Sequence, residues 1–321
     1  MAVQKHSRNV MFYDIFVARR AQQAPYPSLA DLAALWQQAQ QDSTFPAKEF
    51  EKGAVTVIIK DADHDAANET LTLLIEVSDK NAPNATYLDH GQRTGRHIPK
   101  TAPEGNGFAA HVVMSLKAET GKANTYLALI EVIPTVNARR IASVLNYVVN
   151  KMCKDTATLF TYVKGGGKKP IAYIPHINLG GHPSDSFYTD VEEGKIHGLQ
   201  LITSQSNAPL GQSPYLTIKD YSMRVNVSKD IPQGQRWSTV FSGLQLKQAD
   251  FPSARIYMQP EENGPSVSVD IDSSTGTIIG DAYIKVRRIG SINPVLETGS
   301  PDTIVPHFEQ HIKDILLKER T

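Results

Sequence analysis

Residues Tyr162 to Pro170 read "YVKGGGKKP", three consecutive glycines bracketed by Lys164, Lys168 and Lys169. A phosphate-binding loop that serves nucleotide hydrolysis needs Ser or Thr directly after its lysine, because the lysine reaches the phosphates and the hydroxyl holds magnesium. Here Lys168 is followed by Lys169 and Pro170, so the hydroxyl is missing and the proline blocks the helix that should continue from the lysine. Two readings remain: a loop whose ammonium groups and bare backbone N–H groups grip phosphate oxygens, or a flexible joint.

Carboxylates offer the next chemistry. Metal-dependent nucleases of the restriction type place an Asp on one strand and a Glu-x-Lys on the next, so that the acids hold a metal beside a lysine that steadies the attacking water. Asp61, Asp63 and Glu76 approach this pattern, but Lys80 stands two positions too far along, and a surface hairpin with ordinary charges is the favoured reading. Asp270, Asp272 and Asp281 flank an "SSTG" turn and suit turn formation. His176 and His182 lie in a polar loop at a spacing that matches no familiar metal site. The single cysteine, Cys153, falls in an amphipathic helical pattern as a small buried residue, and no "GxSxG" turn exposes a serine nucleophile. No catalytic residue, metal or cofactor is therefore assigned. A metal-dependent nuclease stays open as an alternative, with the balance leaning against an enzyme.

Charge is more informative. The formal net charge is 0, yet Val132 to Ser184 holds seven cations, Arg139, Arg140, Lys151, Lys154, Lys164, Lys168 and Lys169, against the single acid Asp155. That net of +6 leaves −6 for the remainder. A second basic stretch, "HGQRTGRHIPK", carries Arg93, Arg96 and Lys100 with no acid between Asp89 and Glu104. Cations of this kind suit a nucleic-acid backbone and carry no base reading, which predicts sequence-independent nucleic-acid binding. The same patches also suit a solvated surface or an acidic protein partner.

The elements that must position these groups follow from periodicity. "MFYDIFVARR" reads as a first strand, and "SLADLAALWQQAQQ" as a helix capped by Ser28 with Leu29, Leu32, Leu35 and Trp36 on one face. "AVTVIIK" and "TLTLLIEVS" make a hairpin; Asp79 to Gly107 is a long polar excursion with a short strand at "ATYLDH"; "FAAHVVMSLK" and "TYLALIEVI" resume the sheet. "NARRIASVLNYVVNKMCK" is the clearest helix, with Asn137 as amino cap, Ile141, Val144, Leu145, Val148 and Met152 toward the core, and Arg139, Ser143, Asn146, Asn150 and Lys154 on a polar, basic face. Further strands follow at "HGLQLIT", "YLTIKDYSMRVNVS", "ARIYMQ", "SVSVDID" and "TIIGDAYIKVRR". Tyr221, Met223, Val225 and Val227 alternate as in a half-buried strand. A closing helix opens at Pro306 and carries Phe308, Ile312, Ile315 and Leu316 as a stripe. The fold class is α+β, mainly antiparallel sheets with a few flanking helices in two lobes. The expected division is 1–160, a Gly/Lys joint at 161–170, and a β-rich lobe with its closing helix at 171–321. The amino terminus lacks an apolar run of signal length and no segment reaches the apolar length of a membrane span, so the cytoplasm is the expected compartment.

The order of these segments, from "FYDIFVARR" through "FAAHVVMSL", "YLALIEV" and "DVEEGKIHGLQLIT" to "ARIYMQPEENGPSVSVDID" and "HFEQHIKDILLK", resembles the phage lambda exclusion protein (RexA) family. The resemblance runs over most of the chain without a shared motif. It implies a cytoplasmic, non-enzymatic, homodimeric DNA-binding protein of prophage or phage-defence (abortive infection) type, partnered in that family with a membrane protein. It transfers no site residue.

Overall fold

A computed structural model describes residues 4–156, 158–165, 167, 169–203, 221–228, 230–260 and 264–320. The protein is α+β, mainly antiparallel strands with five α-helices among the described residues. Its contacts divide it into two compact units: the first runs to Leu179 and resumes at Arg287, and the second is Gly180–Val286. In chain order the first unit holds β1 (Arg8–Arg19), α1 (Leu29–Gln41), β2 (Lys48–Phe50), β3 (Val55–Asp65), β4 (Thr70–Asp79), a hairpin of β5 (Ala85–Asp89) and β6 (Thr94–Ile98), β7 (Asn106–Ser115), β8 (Thr125–Glu131), α2 (Ala138–Asp155) and a second hairpin of β9 (Thr161–Val163) and β10 (Pro170–Ala172). β11 (Pro175–Gly181) carries the chain into the second unit, which holds α3 (Asp185–Glu192), β12 (Ile196–Thr203), β13 (Tyr221–Val225), α4 (Arg236–Lys247), β14 (Ser253–Met258), β15 (Val267–Asp272) and β16 (Ile278–Ile279). β17 (Val286–Ile289) brings it back to α5 (Pro306–Glu319).

The first unit is built on the antiparallel order β1-β8-β7-β4-β3-β2. Because alternate residues of a strand face opposite ways, each strand has two apolar faces to cover. On one, Val10, Phe12, Val113, Leu127 and Leu129 pack against Phe308, Ile312 and Leu316 of α5. On the other, Tyr126 accepts a hydrogen bond from the Leu29 backbone N–H at 3.2 Å, placing the start of α1 there. α2 joins α1 through Trp36, whose indole N–H donates to the Leu145 carbonyl at 3.1 Å. The expected caps are present. Ser28 and Asp31 form a reciprocal capping box, Asn137 accepts from the Arg140 backbone N–H at 2.9 Å, and Pro306 opens α5. In the second unit the order is β13-β12-β14-β15-β16, again antiparallel.

Several expectations change. By contact the chain divides after Leu179 and after Val286 rather than at 161–170, because the apolar stripe of α5 is what covers β1, β7 and β8. Thr161–Val163 and Pro170–Ala172 pair as the β9–β10 hairpin inside the first unit, and of the glycine-lysine stretch Gly166 and Lys168 lie outside the described residues. "TIIGDAYIKVRR" is broken into β16 and β17, since Gly280 (φ 122°) and Tyr283 (φ 65°) turn the backbone between them. Among the described residues β13 pairs with β12 alone, and Tyr221 and Met223 are 52% and 45% exposed instead of half-buried; the expected start of that strand, 215–220, lies outside the described residues. Among the described residues no helix is long and apolar enough to cross a membrane.

Candidate functional site

The basic stretch around Arg93 and Arg96 forms a two-stranded ribbon, β5–β6, in which every paired residue from Ala85–Asp89 and Thr94–Ile98 is exposed. Its base is clamped. Lys100 donates from Nζ to the carbonyls of Lys80, at 3.0 Å, and Ala82, and Asn106 donates to the Pro83 carbonyl at 2.8 Å. Gly105 is required there, since a Cβ would lie 2.4 Å from Ser78 Oγ and 2.9 Å from the Asp79 backbone. At the tip, Asp89 Oδ1 accepts from the backbone N–H groups of Gly91 (2.9 Å) and Gln92 (3.1 Å), which fixes the turn and occupies the ribbon's one acid. Arg93 and Arg96 are exposed, and the Arg96 guanidinium lies over the Tyr87 ring at 5.3 Å. Lys100 is structural: it ties the ribbon to the sheet.

The helix face expected to be basic is partly covered. Asn146 exchanges two 2.8 Å hydrogen bonds with the backbone of Ile177 on β11, and Ser143 and Asn150 are half-buried beside it. Arg140 is drawn inward, donating to the Thr135 carbonyl at 2.8 Å and lying 3.6 Å from Glu51. Lys151 pairs with Asp155 at 3.3 Å and sits over the Phe45 ring. This leaves Arg139 exposed at the start of α2 and Lys154 exposed at its end. The start of α2 shares Glu51 with the ribbon base, because Asn81 also donates to that carboxylate, at 3.0 Å. Beyond the end of α2 comes the second hairpin, packed through Phe160, Tyr162 and Tyr173 at ring distances of 5.9 Å, with its tip closed by the Gly167 N–H donating to the Lys164 carbonyl at 2.8 Å. Lys164 and Lys169 are exposed at that tip; Lys168 and Gly166 lie outside the described residues.

The carboxylates weighed for a metal are each engaged elsewhere. Asp61 accepts from the Ile304 N–H at 2.9 Å, Asp63 pairs with Lys313 at 3.0 Å, and Glu76 pairs with Lys60 at 2.5 Å and accepts from Ser300 at 3.0 Å. Part of the reason is a register shift between Ile59 and Asp61. Among the described residues no group of three or more acids, histidines or cysteines is arranged to hold a metal. Asp270 makes a two-pronged pair with Arg255 (2.6 and 2.9 Å), and Asp272 caps the "SSTG" turn through Ser274 and Thr275. Cys153 is buried, and burial pushes its thiol pKa up. Burial, with Arg20 nearby, pushes the pKa of His176 down.

Sequence reasoning passed over two things. One is the apolar content of the ribbon: Tyr87, Leu88 and Ile98 are 58%, 65% and 43% exposed, and the alternation in "ATYLDH" and "RTGRHI" on either side of a turn was the available signal. The other is a buried charged triad beneath α5. Arg8 donates to Glu131 at 2.9 Å, Glu131 lies 2.8 Å from His111 Nδ1, and His111 Nε2 accepts from the Val305 N–H at 3.1 Å. Accepting at Nε2 puts the ring proton on Nδ1, where it donates to Glu131. The triad lines a cavity of about 210 Å³ beside Ala109, Leu296 and Pro301. No protein-family profile matches the chain, and no curated protein sequence matches it.

Proposed function

We propose that this protein binds double-stranded DNA without sequence preference, in the manner expected of a phage-exclusion protein. The observation that carries the reading is a set of exposed cations in one unit: Arg93 and Arg96 on the β5–β6 hairpin, Lys164 and Lys169 on the β9–β10 hairpin, and Arg139 and Lys154 at the ends of α2. All of these cations are exposed. Guanidinium and ammonium groups on exposed hairpins meet phosphate oxygens, which position a protein on a duplex without specifying sequence. Lys100, Arg140 and Lys151 leave the list of phosphate contacts, because each has a structural partner in the fold.

Fluorescence anisotropy with labelled duplexes of unrelated sequence, across a salt series, tests this. If four hairpin cations meet phosphates, log K falls with log salt at a slope of about −3.6. Arg93→Glu with Arg96→Glu weakens binding to every sequence alike and makes the slope shallower by about 1.8. Lys164→Glu with Lys169→Glu does the same. Unchanged affinity and slope in both double variants would sink the reading. Plasmid incubated with magnesium or manganese is retarded and stays supercoiled; relaxation that is lost in Glu76→Ala would instead support a nuclease.

A further inference from the structure

We infer that the cavity under the segment leading into α5 binds a small monocarboxylate with an apolar body, and that Arg8 receives the carboxylate. The cavity holds about 210 Å³, and all of its lining belongs to the first unit. The sheet supplies one wall. Val10 pairs with Glu131, and residues two apart on a strand share a face, so Arg8, Glu131, His111 and Ala109 continue the face that α5 covers at Val10, Phe12 and Val113. Past the start of α5 that face is roofed by Val295, Leu296, Pro301 and Val305 instead, and the cavity lies between.

Arg8 lacks a full set of partners. Nε donates to Glu131 at 2.9 Å and Nη1 to the Ser7 carbonyl at 3.2 Å, while Nη2 has no partner among the described residues. The side chain is 4% exposed, so the space left to those donors is the cavity that Arg8 lines. A charged donor this deep without an acceptor is costly, which points to an acceptor supplied from outside the chain.

The rest of the lining selects the acceptor. Glu131 needs no cation from a ligand: Oε1 takes Arg8, and Oε2 takes the ring and backbone N–H groups of His111, at 2.8 and 3.2 Å. Glu297 is paired with Lys5 at 2.5 Å. Both acids of the lining are thus engaged, and α5 begins at Val305 without a side-chain cap, which leaves the positive end of its dipole at the cavity wall. These groups favour an anion over an amine, and the planar edge of a guanidinium matches a carboxylate. The Thr298 hydroxyl accepts from the Ser300 N–H at 3.1 Å and keeps its own proton to donate. The walls at Ala109, Val295, Leu296, Pro301 and Val305 are apolar and suit a hydrocarbon body. An apolar cavity of about 150 Å³ accepts benzene, so this one has room for a ring with its carboxylate attached.

Benzoate is the probe, with its neutral isostere benzamide as the control, followed by saturation-transfer NMR and calorimetry on the full chain at neutral pH. Benzoate binds with a dissociation constant on the order of 1 mM, as befits so few atoms. Benzamide binds about tenfold more weakly, having lost the charge-assisted bonds. Arg8→Lys, which leaves Glu131 a cation but removes the fork, weakens benzoate at least about tenfold. Val295→Phe, at a half-buried wall position, fills the space and abolishes binding without touching the triad, so the site is tested even if Arg8→Lys fails to fold. No saturation transfer to benzoate at about 10 mM, well above the affinity expected of so small a ligand, would overturn the inference. So would benzamide binding as tightly as benzoate, or undiminished binding in Val295→Phe. No DNA is present in these measurements, so their outcome is separate from that of the duplex-binding reading.

Discussion

Glu131 serves two clients at once. One oxygen takes the Arg8 guanidinium at 2.9 Å and the other takes His111 at 2.8 Å, with the three side chains 2–4% exposed. A carboxylate in that position stabilises little relative to a well-packed apolar replacement of the whole cluster, because desolvation offsets the attraction; removing it alone strands a buried guanidinium. Glu131→Ala should therefore cost about 3–5 kcal/mol of stability, measured by denaturant unfolding followed at a probe in the first unit. Glu131→Gln, which keeps one acceptor oxygen, should cost less. The triad was not legible in the sequence, since Arg8 and Glu131 are 123 positions apart and nothing local marks them as partners. The cations of the candidate site were legible as residues, but their availability was not. Lys100 and Arg140 look like Arg93 and Arg139 in a one-dimensional reading, and differ only because folding brings backbone carbonyls to them.

Helix α4 begins without a side-chain cap of its own, and α3 provides one. Glu192, at the end of α3, accepts from the backbone N–H groups of Gly234 (2.6 Å), Arg236 (3.3 Å) and Trp237 (2.9 Å), satisfying donors that an isolated helix leaves to water. Burial opposes the charge of Glu192, but these N–H donors prevail and hold its pKa below the usual glutamate range. Asp190, on the same helix, is likewise disfavoured as an anion by burial, but Lys195 and the Tyr283 hydroxyl hold its pKa below the usual aspartate range. Both are depressed carboxylates, so their contribution is present above the unfolded values and is lost as pH falls through the folded ones. The second unit should lose stability as the medium is acidified through and below the ordinary carboxylate range, as followed by Trp237 fluorescence, and Glu192→Gln should flatten that acid limb while costing about 1 kcal/mol at neutral pH. Elements with local signals were readable: α1, α2 and α5 declare themselves by Ser28, Asn137 and Pro306 at their starts and by an apolar stripe. α3 is eight residues long and α4 buries only Val240 and Leu244, so periodicity had too little to register. Their stability comes from each other, through Glu192 and the rings of Phe187 and Trp237 at 5.2 Å, a tertiary cause with no sequence pattern.

For the molecule as a whole, the decisive fact is that the first unit is discontinuous, with Gly180–Val286 inserted between its two segments. The sequence pointed to two lobes but placed their boundary at the glycine-lysine stretch, because glycines look like joints and the dependence of β1 on α5 spans nearly the whole chain. Removing Arg287–Thr321 should bare Val10, Phe12, Val113, Leu127 and Leu129, giving a product that binds hydrophobic dyes and aggregates. Thermal unfolding of the second unit should be spared in that truncation. The same insertion sets an order of events on the ribosome. Chains emerge at roughly 5–20 residues per second, so the sheet of the first unit waits on the order of ten seconds for its covering helix, while the inserted unit has all of its strands in hand before then. The nascent chain thus presents an uncovered apolar sheet throughout synthesis of the insertion, the interval in which a chaperone that recognises exposed β-surface would find its client.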